Sequence, residues 1–282
     1  MSIVYEEKDT ILHVDNLSVS YGDKLIISNI SFEEKNVVRP NKTQGQTIAF
    51  VGRSGRGKST LFRALTGLEV PSKGTVLIPD YSQTASDGHQ PAKKVIEGDV
   101  GFVDQKYTLF RHKTIYQALK FSLRKAKISE AEKDDKIMYY LKEWGLEMCK
   151  NQYPNELSGG QKQRTAILEQ LLSSGTYMVL DEPFSGLDVG NILNVKNAFK
   201  LIGDSNELNT IIFSTHDIEL AVELADSLYV LGYGKKDDGH LTMTGTLLKH
   251  YDFKKMGLAW SNEFTSKHME LTGEIKEIML NS

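Results

Sequence analysis

The 282-residue sequence holds one cysteine, Cys149, so no intrachain disulfide can form, and this usage fits a reducing compartment. No apolar run approaches the ~18 residues that a membrane span needs, so any membrane role has to pass through a partner chain. Neither sign of charge dominates: 34 basic and 37 acidic side chains leave a net charge of -3. That balance carries no general footprint for nucleic acid or for an anionic membrane surface. No internal repeat recurs, which argues for one fold unit rather than a tandem pair. The opening MSIVYEEKDT is acidic and mixed, unlike a secretory signal. What is present is ordinary for a globular protein: 40% hydrophobic and 25% charged residues, enough for a sizeable core.

Alternation and short apolar runs predict strands over 11–21, 24–33, 47–51, 100–104, 176–180 and 210–214. Residues 34–46 read as a polar loop or hairpin extension. A helix is expected from Lys58 to Gly67. Residues 71–98, rich in Pro, Gly, Ser and Asp, read as loop with one short strand near 75–78. From 107 to 157 the chain turns helical. Ser129 and Glu132 form a capping box, and Gly145 is the expected left-handed cap after Trp144. After Tyr229–Leu231 short mixed strands are expected, then a helical or irregular tail.

GRSGRGKS, 52–59, fits G-x-x-x-x-G-K-[ST] between an apolar strand and a helix. The glycines let backbone N–H groups curl around phosphate oxygens, and the helix behind them aims its positive end at the same anion. Lys58 can reach the outer phosphates, and the Ser59 hydroxyl can ligate Mg²⁺. The candidate nucleotide contacts here are Gly52, Arg53, Ser54, Gly55, Arg56, Gly57, Lys58, Ser59 and Thr60.

Parallel α/β sheets bind ligands at the carboxyl ends of their strands. Four apolar runs end in residues suited to ATP chemistry: the phosphate loop, Gln105, Asp181–Glu182 and His216. Gln105 can touch a metal and a water. Asp181 is expected on the Mg²⁺ side, and Glu182 as general base, pointing elsewhere because neighbours on an extended chain face opposite sides. Taken singly, the acidic pair could cap the next turn, and His216 could be a structural histidine. Their order along the chain, each at a strand end, favours the catalytic reading.

LSGGQ, 157–161, is a second glycine motif. Ser158 and Gln161 suffice as a capping box, but that leaves Gly159 and Gly160 unexplained. Lacking β-carbons, they let something approach a helix end that presents free N–H groups. Two phosphate cradles with one lysine suggest that the second caps a nucleotide held by another copy.

GRSGRGKST (52–60), the Gln105 segment, LSGGQKQR (157–164), YMVLDEP (177–183), SGLD (185–188) and STHD (214–217) together resemble the ATP-binding subunit of an ABC transporter, over about residues 11–248. The resemblance implies an α/β P-loop NTPase fold in three layers, with an antiparallel β subdomain and a helical subdomain at about 107–157. It divides the chain into an ATPase domain, 1–248, and a tail, 249–282. It implies ATP and Mg²⁺ as cofactors, with Ser59, Gln105 and Asp181 on the metal side. Tyr21 would stack on adenine with Ile26 near the base, though Tyr21 alone reads equally as a strand tyrosine. Ser158, Gly159, Gly160 and Gln161 would face the ATP of the opposite subunit, and Asp188 would lie at that dimer interface.

The implied partners are a second, identical ATPase subunit, transmembrane permease subunits and an extracytoplasmic solute-binding protein, at the cytoplasmic face of the membrane, with no nucleic acid. STHDIELAVELAD resembles the importer type, and GRSG with 253–261 resembles the nitrate, sulfonate and taurine group. Arg56 departs from the small residue usual at its position, and its side chain is expected to point outward. Asp104, Glu169–Gln170–Leu171 and the long 79–98 stretch also depart. Only 100 positions separate Lys58 from Ser158, too few for the coiled coil of a DNA-repair type, and no second ATPase unit marks a translation type.

Overall fold

The computed structural model describes residues 4–83, 90–235, 238–260 and 263–282. Ten strands form one sheet: β1 (Glu6–Tyr21), β2 (Lys24–Val38), β3 (Gln46–Val51), β4 (Lys73–Pro79), β5 (Ala92–Lys94), β6 (Gly101–Val103), β7 (Tyr177–Leu180), β8 (Thr210–Thr215), β9 (Ser227–Lys235) and β10 (Leu241–Asp252). Their order is β5-β4-β1-β2-β10-β9-β3-β8-β7-β6. The segment β9-β3-β8-β7-β6 is parallel, and the β5-β4-β1-β2 wing is antiparallel. A single parallel pair, Gly245 with Ile27, joins the wing to the rest. The expected antiparallel unit is therefore one arm of a continuous sheet.

Strand periodicity builds the three layers. In β3, Ile48 and Phe50 enter one core while Ala49 and Val51 enter the other; Tyr177/Val179 and Met178/Leu180 divide the same way in β7. Both faces are covered, so these strands read as continuous apolar runs. The first core fills the space between the parallel strands, the antiparallel wing and α1 (Lys58–Leu65), which contributes Leu61, Phe62, Ala64 and Leu65. The second lies under α2 (Ile115–Ser122), α3 (Glu130–Glu143), α4 (Gly159–Ser174), α5 (Val189–Ser205), α6 (Ile218–Leu224) and α7 (Ser266–Leu280). The Ser129–Glu132 capping box opens α3, and Gly145 takes the left-handed conformation after it, φ 63.

Several expectations change. The 34–46 loop is half strand, because Glu34 and Asn36 are buried polar residues rather than solvated ones; Glu34 accepts from the Tyr229 hydroxyl at 2.8 Å and lies 3.5 Å from Lys254 Nζ. Val76 and Ile78 face the first core, so the 71–98 region holds two strands, β4 and β5; its residues 84–89 lie outside the described ones. The short strands expected after 229 form a long β9–β10 hairpin whose register shifts at Leu241/Gly245 and Leu247/Lys249 break the alternation that sequence can show. The division at 248 falls inside β10, and α7 buries Leu271, Ile275 and Met279 in the second core.

Glu169 in α4 is 5% exposed, and its Oε1 has no partner. Burial pushes its carboxyl from 4.5 up to about 7. A raised folded-state value favours the protonated form, so stability falls as pH rises from about 4.5 to about 7 and is level above. The loss reaches about 3 kcal/mol at roughly 1.36 kcal/mol per unit. Urea unfolding of Glu169→Gln at pH 5 and pH 8 is expected to show a smaller pH-linked loss than wild type. Buried Asp226, which titrates in the same window, contributes equally to both proteins and cancels from the comparison.

Candidate nucleotide site

β3 ends at Val51 and the chain turns through 52–57 into α1. Gly57 is the N-cap, with φ 94, and a β-carbon there would collide with the Ile27 side chain on β2. A residue other than glycine would therefore be strained twice over. Gly57 fixes where the helix begins and thus where the N–H groups of Lys58, Ser59 and Thr60 point.

Lys58 is 8% exposed. Its Nζ donates to the Gly52 carbonyl at 2.6 Å and lies 3.3 Å from Glu182 Oε1. The other Glu182 oxygen is 3.0 Å from His216 Nδ1. The first and last of the four strand ends are thus bridged through the third. Glu182 is not on extended chain: its φ is 51, so the backbone doubles back after Asp181 and both carboxylates enter the same cleft. The expected divergence of the two side chains is therefore not found, because this left-handed turn replaces the extended backbone it assumed; neither side chain caps a helix.

A residue that sequence reading passed over makes the turn. Ser214, fully buried in β8, accepts from the Glu182 N–H at 2.9 Å and donates to Asp181 Oδ1 at 2.6 Å. One hydroxyl sets both acidic residues. The signal was a serine directly after the apolar IIF inside the buried run TIIFST. Asp181 is further fixed by its N–H, which donates to Val103 on β6 at 2.9 Å. Gln105, just past β6, reaches Ser185 Oγ at 3.4 Å.

These groups surround a cleft of about 510 Å³ lined by Tyr21, Ile26, Ser54, Gly55, Gly57, Lys58, Ser59, Thr60, Gln105, Asp181, Glu182, Ser185 and His216. Tyr21 is 46% exposed and its hydroxyl donates to Glu69 at 3.0 Å; partial burial and that carboxylate raise its pKa. It lines the cleft as its exposed aromatic side chain. The cleft joins an aromatic side chain, a bare-backbone loop and a lysine, the parts a nucleotide needs for base and phosphates. Ser59, Gln105 and Asp181 supply oxygen donors that suit Mg²⁺. Among the described residues no group of three His, Cys, Asp or Glu could hold a metal. A cation here would complete its shell with ligand oxygens or water.

Other expected residues lie outside the cleft. Gly52 sits at its base, behind the Lys58 ammonium. Arg53 is exposed, and Arg56 turns away toward Tyr233. Asp188 caps α5, accepting from the Asn191 N–H at 2.8 Å. Residues 158–161 do not line the cleft. Ser158 and Gln161 form the reciprocal capping box of α4, and Ser158 and Gly159 are exposed. The two glycines part company: a β-carbon on Gly160 would strike the Asn191 side chain of the same chain, whereas Gly159 has open space around it.

The ABC transporter family model matches residues 36–185. The sulfate/thiosulfate import ATP-binding protein CysA of Synechocystis is 35% identical over 222 residues, 79% of this chain and 58% of that protein. The Fe(3+) ions import ATP-binding protein FbpC of Fusobacterium nucleatum is 32% identical over 224 residues, 79% of this chain and 56% of that protein. The chain thus spans less than two thirds of the length of these relatives. Neither relative is named for nitrate, sulfonate or taurine, the group that the sequence resemblance suggested. CbiO1 from Clostridium perfringens, described as part of the ABC transporter complex cbiONQ, superposes with a TM-score of 0.67 at 25% identity, covering 97% of this chain and 98% of that one. Among the described residues no helix is long and apolar enough to cross a membrane. On its fold and on matches that cover more than half its length, this chain belongs to the ABC transporter family, among the ATP-binding subunits.

Proposed function

We propose that this protein binds and hydrolyses ATP to energise import of a small solute through a separate permease, working as a head-to-tail dimer on the cytoplasmic face of the membrane. The observation that carries the reading is the convergence of four strand ends on one cleft, with Lys58, Glu182 and His216 linked across it. Lys58 exchanges its Gly52 and Glu182 partners for phosphate oxygens. Glu182 takes the proton of the attacking water, and His216, on the far side of the carboxylate, holds that water and the outer phosphate in line. Ser59, Gln105 and Asp181 would hold Mg²⁺, and the chemistry it would supply is charge neutralisation at the transferring phosphoryl group.

The exposed start of α4 lies outside the chain's own cleft, which supports the second subunit as its counterpart. Residues 1–248 supply the ATPase machinery, and 249–282 complete its core. Relatives named for sulfate and for Fe(3+) both match this chain, so the cargo follows from the permease rather than from this site.

Calorimetric titration of the purified protein with ATP, with and without Mg²⁺, tests the first step; saturable binding and Mg²⁺-dependent release of phosphate are expected. Affinity purification from membranes of the native host tests the second. Recovery of a multi-spanning permease with the protein supports the reading. A protein that binds ATP but purifies from membranes alone contradicts it.

A further inference from the structure

The phosphate loop has an outer side that the cleft does not use. There Arg56 places its guanidinium carbon 3.8 Å above the Tyr233 ring of β9 and donates from Nη2 to the backbone oxygen of Ser282 at 2.9 Å. The Tyr233 hydroxyl donates to the Gly55 carbonyl at 3.3 Å, while the Arg56 carbonyl runs against Gly245 on β10. Ser282 is 5% exposed; it packs beside Gly232, and its hydroxyl donates to the Met279 carbonyl at 3.2 Å. The loop apex is gripped from behind by two strands and by the residues that follow α7.

α7 also reaches the opposite wall of the cleft. It packs along α6, with Lys276 Nζ 3.2 Å from Glu219, and the Tyr251 hydroxyl of β10 donates to Glu274 of α7 at 2.8 Å. α6 is capped by Asp217, the neighbour of His216. α7 thus packs against the helix that starts beside His216, and Ser282, just past its end, meets Arg56 of the phosphate loop.

We propose that Arg56 is a positioning residue for ATP, clamped by Tyr233 and Ser282, and that α7 is the strap that carries the clamp. Three of the six residues from Gly52 to Gly57 are glycine, so a free loop would lose much backbone entropy on closing around phosphates. An outer anchor supplies part of that order in advance, and affinity rises without a new ligand contact. The inference rests on the ATP reading above.

The test is a double-mutant cycle in ATP affinity, measured by calorimetric titration of Arg56→Ala, of a deletion of Asn281–Ser282, and of both together. Each single change is expected to weaken ATP about tenfold, equivalent to about 1.4 kcal/mol. The double variant is expected to be no weaker than either. Arg56→Lys, which keeps the charge but not the planar stack, should remain close to Arg56→Ala. Losses that simply add, or full rescue by lysine, would show that Arg56 meets phosphate directly and would overturn the clamp. Changes in melting temperature without nucleotide and none in affinity would also overturn it, leaving a structural tie. If Arg56→Ala does not fold, Tyr233→Leu replaces it in the cycle with the same expected and contrary outcomes. A wild-type protein that fails to bind ATP overturns the underlying reading instead, so the two failures are distinct.

Discussion

Glu182→Gln is expected to keep ATP binding and to lose hydrolysis by a factor of roughly 10²–10⁴, the usual contribution of a general base. The structure says why binding survives. The glutamine is isosteric in the left-handed turn that Ser214 holds, and its amide oxygen can still accept from Lys58 at the 3.3 Å position. Removing a carboxylate beside incoming phosphates also relieves like-charge repulsion. What disappears is the proton acceptor next to His216. With ATP bound and uncleaved, the nucleotide remains in place to join two subunits. Size-exclusion chromatography of Glu182→Gln with ATP and Mg²⁺ is expected to show a dimer that wild type forms only transiently. Turnover within twofold of wild type would remove Glu182 from the base role; an ATP-loaded variant that stays monomeric would remove the shared-nucleotide arrangement.

The parts of this site that sequence made legible are those fixed by local chemistry. β3, β6, β7 and β8 are buried on both faces, so each reads as a short apolar run, and the polar residue after each run marks a strand end. The phosphate loop and the α4 capping box carry their geometry within a few residues. Whatever depends on distant contacts stayed hidden. The turn at Glu182 follows from a hydroxyl 32 positions further along the chain. The long β9–β10 hairpin is masked by bulges, and Glu34 looks solvated until Lys254 and Tyr229 are placed around it. The anchoring of Arg56 spans 226 positions. Sequence gave its outward direction but not its partner.

Gly159→Asp separates a site within one chain from a site between two. In the monomer the change is benign: nothing lies within 4 Å of the added β-carbon, and a carboxylate in the first turn of α4 complements the helix dipole. Replacing a helical glycine also favours the helix by several tenths of a kcal/mol. The melting temperature of the isolated protein is therefore expected to hold or to rise by a few degrees, and its affinity for ATP to stay unchanged. Hydrolysis is expected to fall by at least about 10²-fold, because in the proposed head-to-tail dimer the carboxylate would face the partner subunit's phosphates and repel them in a water-poor interface. Combined with Glu182→Gln, the substitution is expected to abolish the ATP-dependent dimer. Gly160→Asp cannot make this distinction, since it would collide with Asn191 and unsettle the Asp188 turn of the same chain. A Gly159→Asp protein that hydrolyses ATP at the wild-type rate would mean that the exposed end of α4 serves only to start a helix. A parallel loss of ATP affinity in the monomer would mean that the motif reaches its own chain's nucleotide after all.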